Sequence, residues 1–422
     1  MKKVFTVSIL GAGSRGAEAY GRIMMSHNDM YKIVSICDIS KVKVDKYQKL
    51  FNLDKNNCFT DENEFFKERR SDCLVLATMD EDHVRECIKA FELGYDVLLE
   101  KPISPKEDEL YALLEAQKKH NNKALVCHVL RYAPLFTKVK ELLDNKECGD
   151  LVMIDSIEQV CFWHQAHSFV RGNWRNSDET SPMILQKCCH DLDLLQYYAS
   201  SKCDTISSIG SLRYFKKENQ PEGAADRCTK CKYVDTCTYS AKRFYIGEWK
   251  KIGSVENGWP YNVITTKVPL TEENLYEAID KGPYGRCVFA CDNNVVDNQI
   301  VMMRFKNGVN ANLRMTAFTP IGGRIMKFYC TNGEIDLIDS EEKIVVTKFY
   351  EEPKTIDLNL LLNEGGHNHG GGDAGIIDSF YKLLCGENMS GTSLENSVES
   401  HLMALKAEES RLENGKLLKV HD

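Results

Sequence analysis

A glycine-rich turn near the amino terminus has the spacing of a site for phosphate groups. Three glycines in the pattern Gly-x-Gly-x-x-Gly follow the apolar run Val4–Leu10, which predicts a β-strand, and a helical pattern begins directly after them. Glycines let the backbone turn tightly and approach a pyrophosphate, and the amides at the start of the helix attract its negative charge. The predicted phosphate-binding residues are Gly11, Gly13, Ser14, Arg15 and Gly16.

Asp38 ends the second predicted strand, about 20 residues after the turn, where a carboxylate binds the ribose hydroxyls of a dinucleotide. Its charge would repel a 2′-phosphate, so the sequence predicts NAD rather than NADP, although Lys41 and Lys43 nearby are cations of the kind that favour NADP. The alternative is a glycine turn that serves only close packing of the backbone.

Lys101 lies in the sequence Glu100-Lys101-Pro102, directly after the predicted strand Asp96–Leu99. Ligands of open α/β sheets bind at the carboxyl ends of the strands, so this lysine is placed near the reacting end of a bound dinucleotide. An ammonium group there can hydrogen-bond a substrate hydroxyl and favour its deprotonation. The alternative is a solvated surface charge.

Lys187 and His190 are three residues apart in a segment, Leu185–Ala199, that is predicted to be one helix. That spacing places both side chains on one helical face, where they can reach the same site. Histidine is the usual general base for an alcohol proton. The alternative is a core histidine whose hydrogen bonds are satisfied.

Aromatic and polar residues elsewhere predict a substrate pocket. Trp163 and Trp174 lie before the Lys187 helix and could stack on sugar rings, although exposed aromatics are also common at interfaces. His369 and Asp373 flank a run of glycines that precedes a helix, and such a loop can approach a ligand closely. A flexible surface loop is the alternative for this second pair.

A cysteine cluster lies in a polar stretch at about residues 216–291. Cys228, Cys231 and Cys237 are closely spaced, and Cys287 or Cys291 follows later. A segment with little apolar content cannot be held by a core of its own, and thiolates at this spacing suit tetrahedral zinc. The sequence therefore predicts a structural zinc ion on Cys228, Cys231, Cys237 and Cys287, with unmetallated thiols or an iron–sulfur cluster as alternatives.

The elements that must position these residues fall into two groups. Residues 1–130 alternate short apolar runs with helical patterns, which predicts a doubly wound Rossmann domain with a parallel sheet. Residues 131–422 contain a long strand, further strands with hairpin turns, and two closing helices. We expect this second part to be an α/β domain that carries the cysteine-rich stretch as an insertion.

Composition restricts the classes of partner. The chain has 422 residues and a net charge of −8, without basic runs, so nucleic acid and anionic membranes are unfavourable partners. No apolar run approaches the roughly 18 residues of a membrane span, and Val4–Leu10 is short for a secretory signal. The 17 cysteines are an odd number and dispersed, which predicts a reducing, cytoplasmic location.

These motifs together resemble the Gfo/Idh/MocA family of NAD(P)-dependent oxidoreductases. The resemblance covers roughly the first 200 residues, in the family's order. It rests on Gly11–Gly16, Asp38, Ala77-Thr78 with His83, Glu100-Lys101-Pro102, Arg131-Tyr132-x-Pro134 and His190-Asp191-Leu192-Asp193.

The resemblance implies a Rossmann domain followed by an α/β domain with an open, mostly antiparallel sheet. That sheet would form one wall of the substrate site and a homodimer or homotetramer interface. Substrates would be sugars, inositols or their derivatives. Lys101 and His190 match the catalytic residues of the family, and the resemblance adds four residues to the predicted cofactor site: Thr78, His83, Glu100 and Arg131.

The chain departs from the family at Gln186, where many dehydrogenases of the family carry an aspartate. Glutamine can bind a substrate hydroxyl but cannot accept a proton, so Lys187 is predicted to take part of that role. The leading hypothesis is an NAD-dependent dehydrogenase of a sugar or inositol hydroxyl. The alternatives are a glycoside-cleaving enzyme, in which bound NAD is reduced and reoxidised within each turnover, and a dinucleotide sensor or scaffold without catalysis.

Overall fold

The computed structural model describes residues 3–253, 258–357, 369–387 and 391–421. Its strands are β1 (Phe5–Leu10), β2 (Tyr31–Cys37), β3 (Cys58–Phe59), β4 (Cys73–Leu76), β5 (Asp96–Leu99), β6 (Ala124–Val126), β7 (Leu151–Gln159), β8 (Cys203–Ser211), β9 (Asn298–Phe305), β10 (Asn310–Thr316), β11 (Gly323–Cys330), β12 (Gly333–Ile338), β13 (Lys343–Lys348), β14 (Lys354–Asp357) and β15 (Leu418–Lys419).

Most helices connect or cover these strands. They are α1 (Arg22–Ser26), α2 (Lys41–Leu50), α3 (Glu62–Phe65), α4 (His83–Glu92), α5 (Glu107–His120), α6 (Pro134–Asp144), α7 (Phe162–His164), α8 (Met183–Gln186), α9 (Cys189–Ala199), α10 (Trp249–Lys251), α11 (Tyr261–Ile264), α12 (Glu272–Lys281), α13 (Gly372–Leu384) and α14 (Leu394–Leu412). None of the helices in the described ranges combines the length and the apolar composition needed to cross a membrane.

The first sheet confirms the predicted Rossmann fold. Its six strands lie in the order β3-β2-β1-β4-β5-β6, and all of their pairings are parallel. The strand order reverses between β1 and β4, so a crevice opens there at the carboxyl ends of the strands. Leu10 and Asp38, at or just beyond the ends of β1 and β2, and Glu100, just beyond β5, are therefore brought to one edge of the sheet.

The second sheet confirms the predicted open, mostly antiparallel architecture. Its nine strands lie in the order β14-β13-β12-β11-β7-β10-β9-β8-β15. Every pairing is antiparallel except that of β10 with β7. In β9 the buried and exposed positions alternate strictly after Asn298, as expected for a sheet with one covered face.

The two closing helices return to the first sheet. On α13, Ile376, Ile377 and Phe380 are buried in the same core cluster as residues of β1 and β2. On α14, His401 accepts a hydrogen bond from the Ile103 amide at 2.8 Å. The division of the chain at residue 130 stays a prediction, because helices from the end of the chain complete the packing of the first part.

Two expectations about local structure are wrong. The predicted helix Leu185–Ala199 is two helices, α8 and α9, because Cys188 has non-helical backbone angles (φ −93°, ψ 5°) and begins α9 as its N-cap. The cysteine-rich insertion is not without a core, since Tyr245, Trp249, Leu275 and Ile279 pack together in a buried apolar cluster. The physical reason is that its apolar residues are dispersed in sequence and meet only when α12 packs on the preceding helices.

Candidate active site

The glycine-rich turn has the geometry of a phosphate-binding loop. Gly11 has a positive φ of 93°, and a Cβ there would lie 2.3 Å from the carbonyl oxygen of Ala77. A Cβ at Gly16 would lie 2.1 Å from the carbonyl oxygen of Gly11, whereas one at Gly13 would meet nothing within 4 Å. The first and third glycines are therefore required by packing, and the backbone at Gly13 faces open space that a phosphate could enter.

The Asp38 carboxylate is fixed beside this turn. Its Oδ2 accepts a hydrogen bond from the Ala12 amide and its Oδ1 accepts one from the Ser40 amide, both at 2.8 Å. The Nζ of Lys43 lies 3.6 Å from the Oδ2 of Asp38. Each carboxylate oxygen can accept more than one hydrogen bond, so the group retains acceptors for ribose hydroxyls.

Arg15 connects the turn to two other parts of the chain. Its guanidinium forms ion pairs with Glu100 at 2.8 Å and with Asp373 at 2.6 Å. Burial alone would raise the pKa of Glu100, but the charges of Arg15 and Lys101 bring that pKa below its usual value. His369 lies 3.2 Å from the Asp373 carboxylate. Asp373, predicted to bind substrate, is thus buried against Arg15, while the His369 side chain is partly exposed.

Lys101 projects from the end of β5 toward the second part of the chain. Its Nζ donates hydrogen bonds to the backbone oxygen of Gln186 at 3.2 Å and to the Gln186 side-chain oxygen at 3.4 Å. His83 holds the loop that carries Lys101, because its Nδ1 lies 2.8 Å from the carbonyl oxygen of Pro102. Burial lowers the pKa of His83, so its neutral ring donates to that carbonyl.

Thr78 and Arg131, predicted to bind the cofactor, both bind buried carboxylates of the chain itself. Thr78 donates a hydrogen bond to Glu86, and burial raises the pKa of Glu86 to about 8. Arg131 forms two hydrogen bonds to the Asp193 carboxylate, at 2.6 and 2.7 Å. The Asp193 contact holds α9, and with it His190, against the segment that follows β6.

His190 is a buried, neutral imidazole close to Lys101. Burial is the main cause that lowers its pKa well below the usual value, and the charge of Lys101 adds to it. The ring of His128, which is fully buried, lies 5.6 Å from that of His190. A neutral imidazole can accept a proton, but a lowered pKa makes it a weaker base, so the role of His190 as general base stays a prediction.

Lys187 is held in a buried network of charges that the sequence did not reveal. Its Nζ lies 3.1 Å from Glu158, which also binds Arg324 at 2.9 Å, and Arg324 binds Asp191 at 2.8 Å. Glu158 and Arg324 are direct partners in the pairing of β7 with β11. The only signal in the sequence was a charged residue at an inward position of each strand.

Aromatic side chains form one side of the site. Trp163 stacks on Phe244 with ring centroids 4.8 Å apart and lies 5.2 Å from Trp259. His164, next to Trp163, has a pKa well below its usual value because of burial and then the charge of Lys187, with a smaller effect from Lys101. Trp259 was not among the predicted substrate residues, because nothing in the sequence places the insertion beside α7.

Trp174 and the four cysteines of the predicted zinc site lie in separate parts of the structure. Trp174 packs against the main apolar core, and its place in a substrate site stays a prediction. Cys228, Cys231, Cys237 and Cys287 line one cavity of about 330 Å³, beside Arg171.

The structure does not support the predicted zinc ion. Across residues 3–253, 258–357, 369–387 and 391–421, no group of three or more His, Cys, Asp or Glu side chains is arranged to hold a metal ion. The argument that the insertion needs a metal also fails, because Cys228 itself belongs to the apolar core of that insertion.

Sequence comparison finds oxidoreductases among the proteins similar to this chain. The oxidoreductase YteT of Bacillus subtilis is 21% identical to this protein over 338 residues, which is 75% of this chain and 74% of YteT. An inositol 2-dehydrogenase of Corynebacterium glutamicum is 22% identical over 207 residues, 49% of this chain but only 57% of that enzyme's length.

A solved structure has the same fold over the whole chain. The scyllo-inositol dehydrogenase of Lactobacillus casei, determined with NAD(H) and scyllo-inositol, superimposes with a TM-score of 0.67 at 14% identity and covers 100% of each chain.

Two family profiles match most of the sequence. The NAD-binding Rossmann fold of the oxidoreductase family matches residues 5–128, and the C-terminal alpha/beta domain of the same family matches residues 140–355. The chain therefore belongs to the Gfo/Idh/MocA family of oxidoreductases.

Proposed function

We propose that this protein is an NAD-dependent dehydrogenase that oxidises a hydroxyl group of a sugar, an inositol or a related polyol. The observation that carries the proposal is the convergence of Lys101 from the first sheet with Gln186 and His190 from the second part of the chain. Lys101 is a cation, Gln186 is a hydrogen-bonding amide and His190 is a neutral base. These are the groups needed to hold and deprotonate an alcohol.

The turn and Asp38 fit a dinucleotide. The open space at Gly13 leaves room for the pyrophosphate, and the Asp38 carboxylate, only 8% exposed, lies where the adenosine ribose would be held. NAD bound there would supply the hydride acceptor. Asp38 favours NAD over NADP by repelling a 2′-phosphate, and Lys43 beside it only partly offsets this repulsion.

The residues around the site divide the remaining work. Lys101 donates a hydrogen bond to the substrate hydroxyl, and its charge stabilises the developing alkoxide. His190 accepts the proton from that hydroxyl. Lys187 is bound to the Glu158 carboxylate, so we assign it the role of a fixed positive charge rather than that of a base.

Cyclic polyols are the substrate class that the surroundings support best. Trp163 presents an aromatic surface beside the polar groups, and such a surface binds the C–H face of a ring while amides and lysines bind its hydroxyls. Gln186 is one such amide, within reach of Lys101. The inositol dehydrogenases among the relatives agree with this class.

The test is a panel of free sugars and inositols incubated with the enzyme and NAD, with absorbance of NADH as the readout. We expect NADH in proportion to the polyol oxidised. The matched control is the Lys101→Ala variant, in which NADH formation should fall by about 10²–10⁴-fold, the contribution of a general acid–base group.

A second candidate function is favoured by His164. This second neutral imidazole lies near Lys101 and Lys187, whereas simple oxidation needs only one base. Oxidation of a sugar hydroxyl to a ketone by NAD acidifies the neighbouring C–H, and a second base could then remove that proton and expel a glycosidic substituent. Addition of water to the resulting enone and return of the hydride from NADH to the ketone would complete the cleavage and restore NAD. Aryl glycosides in the same panel separate the two functions, because aryl release without NADH accumulation would indicate cleavage.

The open face of the second sheet supports a homodimer or homotetramer. Ile209 and Ile300 are cross-strand neighbours on this face, and both are exposed, as is Met302. Exposed apolar side chains grouped on one sheet face are typical of an interaction surface. We therefore propose that two copies of the chain pack sheet to sheet, and sedimentation analysis of the purified protein tests it.

A further inference from the structure

A short stretch of the cysteine-rich insertion, residues 258–264, lies against the predicted active site. Its Trp259 ring is 5.2 Å from the ring of Trp163 and 5.1 Å from that of His164. His164 is in turn close enough to Lys187 and Lys101 for their charges to lower its pKa. Through its ring contact with His164, the insertion therefore lies near the two lysines.

Trp259 remains accessible despite these contacts. It is 44% exposed, although three rings surround it, because His167 also contacts it with centroids 5.4 Å apart. Tryptophan is usually well buried, so an exposed one that is packed against other aromatic rings has a surface available for a ligand. Its ring contacts are Trp163 and the imidazoles of His164 and His167.

Asn262 extends the same stretch to the phosphate-binding turn. Its Nδ2 donates a hydrogen bond to Ser14 Oγ at 3.4 Å. Its Oδ1 is buried and has no hydrogen-bond partner among the described residues. Ser14 begins the helical segment Ser14–Gly21, and the amides at the start of a helix can bind a phosphate group.

We propose that residues 258–264 form one wall of the active site, with Trp259 as a specificity-determining residue for cyclic polyols and Asn262 as a positioning residue for the phosphate-binding turn. The proposal rests on the proposed function, because the ring that Trp259 contacts is that of the substrate. It assigns the insertion a role in recognition that its composition alone would not indicate.

The test compares three variants of the full chain. Trp259→Ala should raise KM for the best cyclic polyol by about tenfold, which corresponds to about 1.4 kcal/mol of lost binding, while kcat stays within about threefold. Asn262→Asp should weaken NAD binding, measured by calorimetry, by about fivefold or more, because a carboxylate would face the pyrophosphate. The control is Tyr276→Ala, since this aromatic residue lies on α12 of the same insertion and is 45% exposed.

Each outcome decides the proposal. A KM of Trp259→Ala equal to that of Tyr276→Ala removes Trp259 from the site, and unchanged NAD affinity in Asn262→Asp removes Asn262. If the unmodified enzyme oxidises no polyol, the proposed function fails. The calorimetric comparison of NAD affinities then tests by itself whether residues 258–264 border the cofactor site. Thermal unfolding of the three variants shows whether a change in affinity reflects lost stability instead.

Discussion

Neighbouring groups determine both the position and the charge of individual residues in this site. Lys101 is hydrogen-bonded to Gln186, and Lys187 is paired with Glu158, so both ammonium groups have defined positions. His190 is buried near Lys101, and its burial, followed by the charge of Lys101, lowers its pKa well below the usual value. A cation that binds an alkoxide next to a base that is ready to accept a proton is the arrangement that alcohol oxidation requires.

Asp38 offers a prediction at the same scale. Asp38→Ala should weaken NAD binding by about 1–3 kcal/mol, the range for hydrogen bonds to a charged group, because the ribose hydroxyls lose their acceptor. The same change should narrow the preference for NAD over NADP, since it removes the repulsion of the 2′-phosphate. Calorimetric titration of both dinucleotides measures the two effects.

The control for Asp38 is Asp45→Ala, an exposed carboxylate on α2 that pairs only with Lys41 among the described contacts. Its affinity for NAD should match that of the unmodified enzyme. Tighter binding of NADP than of NAD by the unmodified enzyme would refute the assignment of Asp38.

At the scale of elements, the pairing of β7 with β11 brings together the charged residues that hold Lys187. Glu158 and Arg324 face each other across the two strands, and Asp191 approaches from α9. Burial raises the pKa of Asp191 to about 7, and the charge of Arg324 opposes that rise. Strand register, rather than any local motif, therefore determines where Lys187 is held.

Removal of Arg324 should destabilise the fold. Arg324→Met leaves the Glu158 and Asp191 carboxylates buried with less compensating charge, and breaking a buried ion pair in this way costs about 3–5 kcal/mol. Urea unfolding measures the loss. Lys327→Met on the same strand is the matched control, because its ion pair with Glu334 is partly exposed and should contribute about 1 kcal/mol or less. Equal midpoints for the two variants would contradict this role of Arg324.

At the scale of the whole molecule, α14 joins the end of the chain to the first sheet through a buried histidine. His401 accepts a hydrogen bond from the Ile103 amide, and its Nδ1 lies 2.6 Å from the Ser397 carbonyl oxygen. These contacts require a neutral ring with one proton on Nδ1. Burial lowers the pKa of His401 to about 3.

Stability should therefore fall in acid. Unfolded His401 has a pKa of about 6.5, so between pH 6.5 and pH 3 the unfolded chain binds the extra proton, and stability decreases by up to about 1.4 kcal/mol per pH unit. Thermal unfolding from about pH 7.5 to about pH 5 should show a smaller drop in Tm for His401→Gln than for the unmodified protein. His120→Gln, at the end of α5, is the control and should leave the drop unchanged. An identical pH dependence in all three proteins would exclude His401 as a contributor.

The sequence predicted the features that depend on neighbouring residues. The glycine turn, Asp38 and the lysine after β5 are local patterns at strand ends, and the parallel sheet places them at one edge. Glu158 and Arg324 lie far apart in the chain, and only the register of two strands brings them together. The predicted helix carrying Lys187 is interrupted at Cys188, a backbone feature that the apolar periodicity did not indicate.

The insertion was hardest to predict. Its polar composition indicated an irregular segment without a core, yet it has one, and its Trp259 reaches the aromatic residues of α7. Such long-range packing has no signature in residue spacing.

Single-turnover reduction of NAD tests the central claim most directly. Enzyme in excess over a cyclic polyol identified by the panel is mixed with NAD, and NADH absorbance is followed for the unmodified protein, Lys101→Ala and His190→Ala, with NAD affinity measured in parallel. We expect both variants to bind NAD within about threefold of the unmodified protein and to transfer hydride about 10²–10⁴-fold more slowly. An unchanged rate in either variant, or the absence of NADH from the unmodified protein with every polyol, would contradict the proposed dehydrogenase.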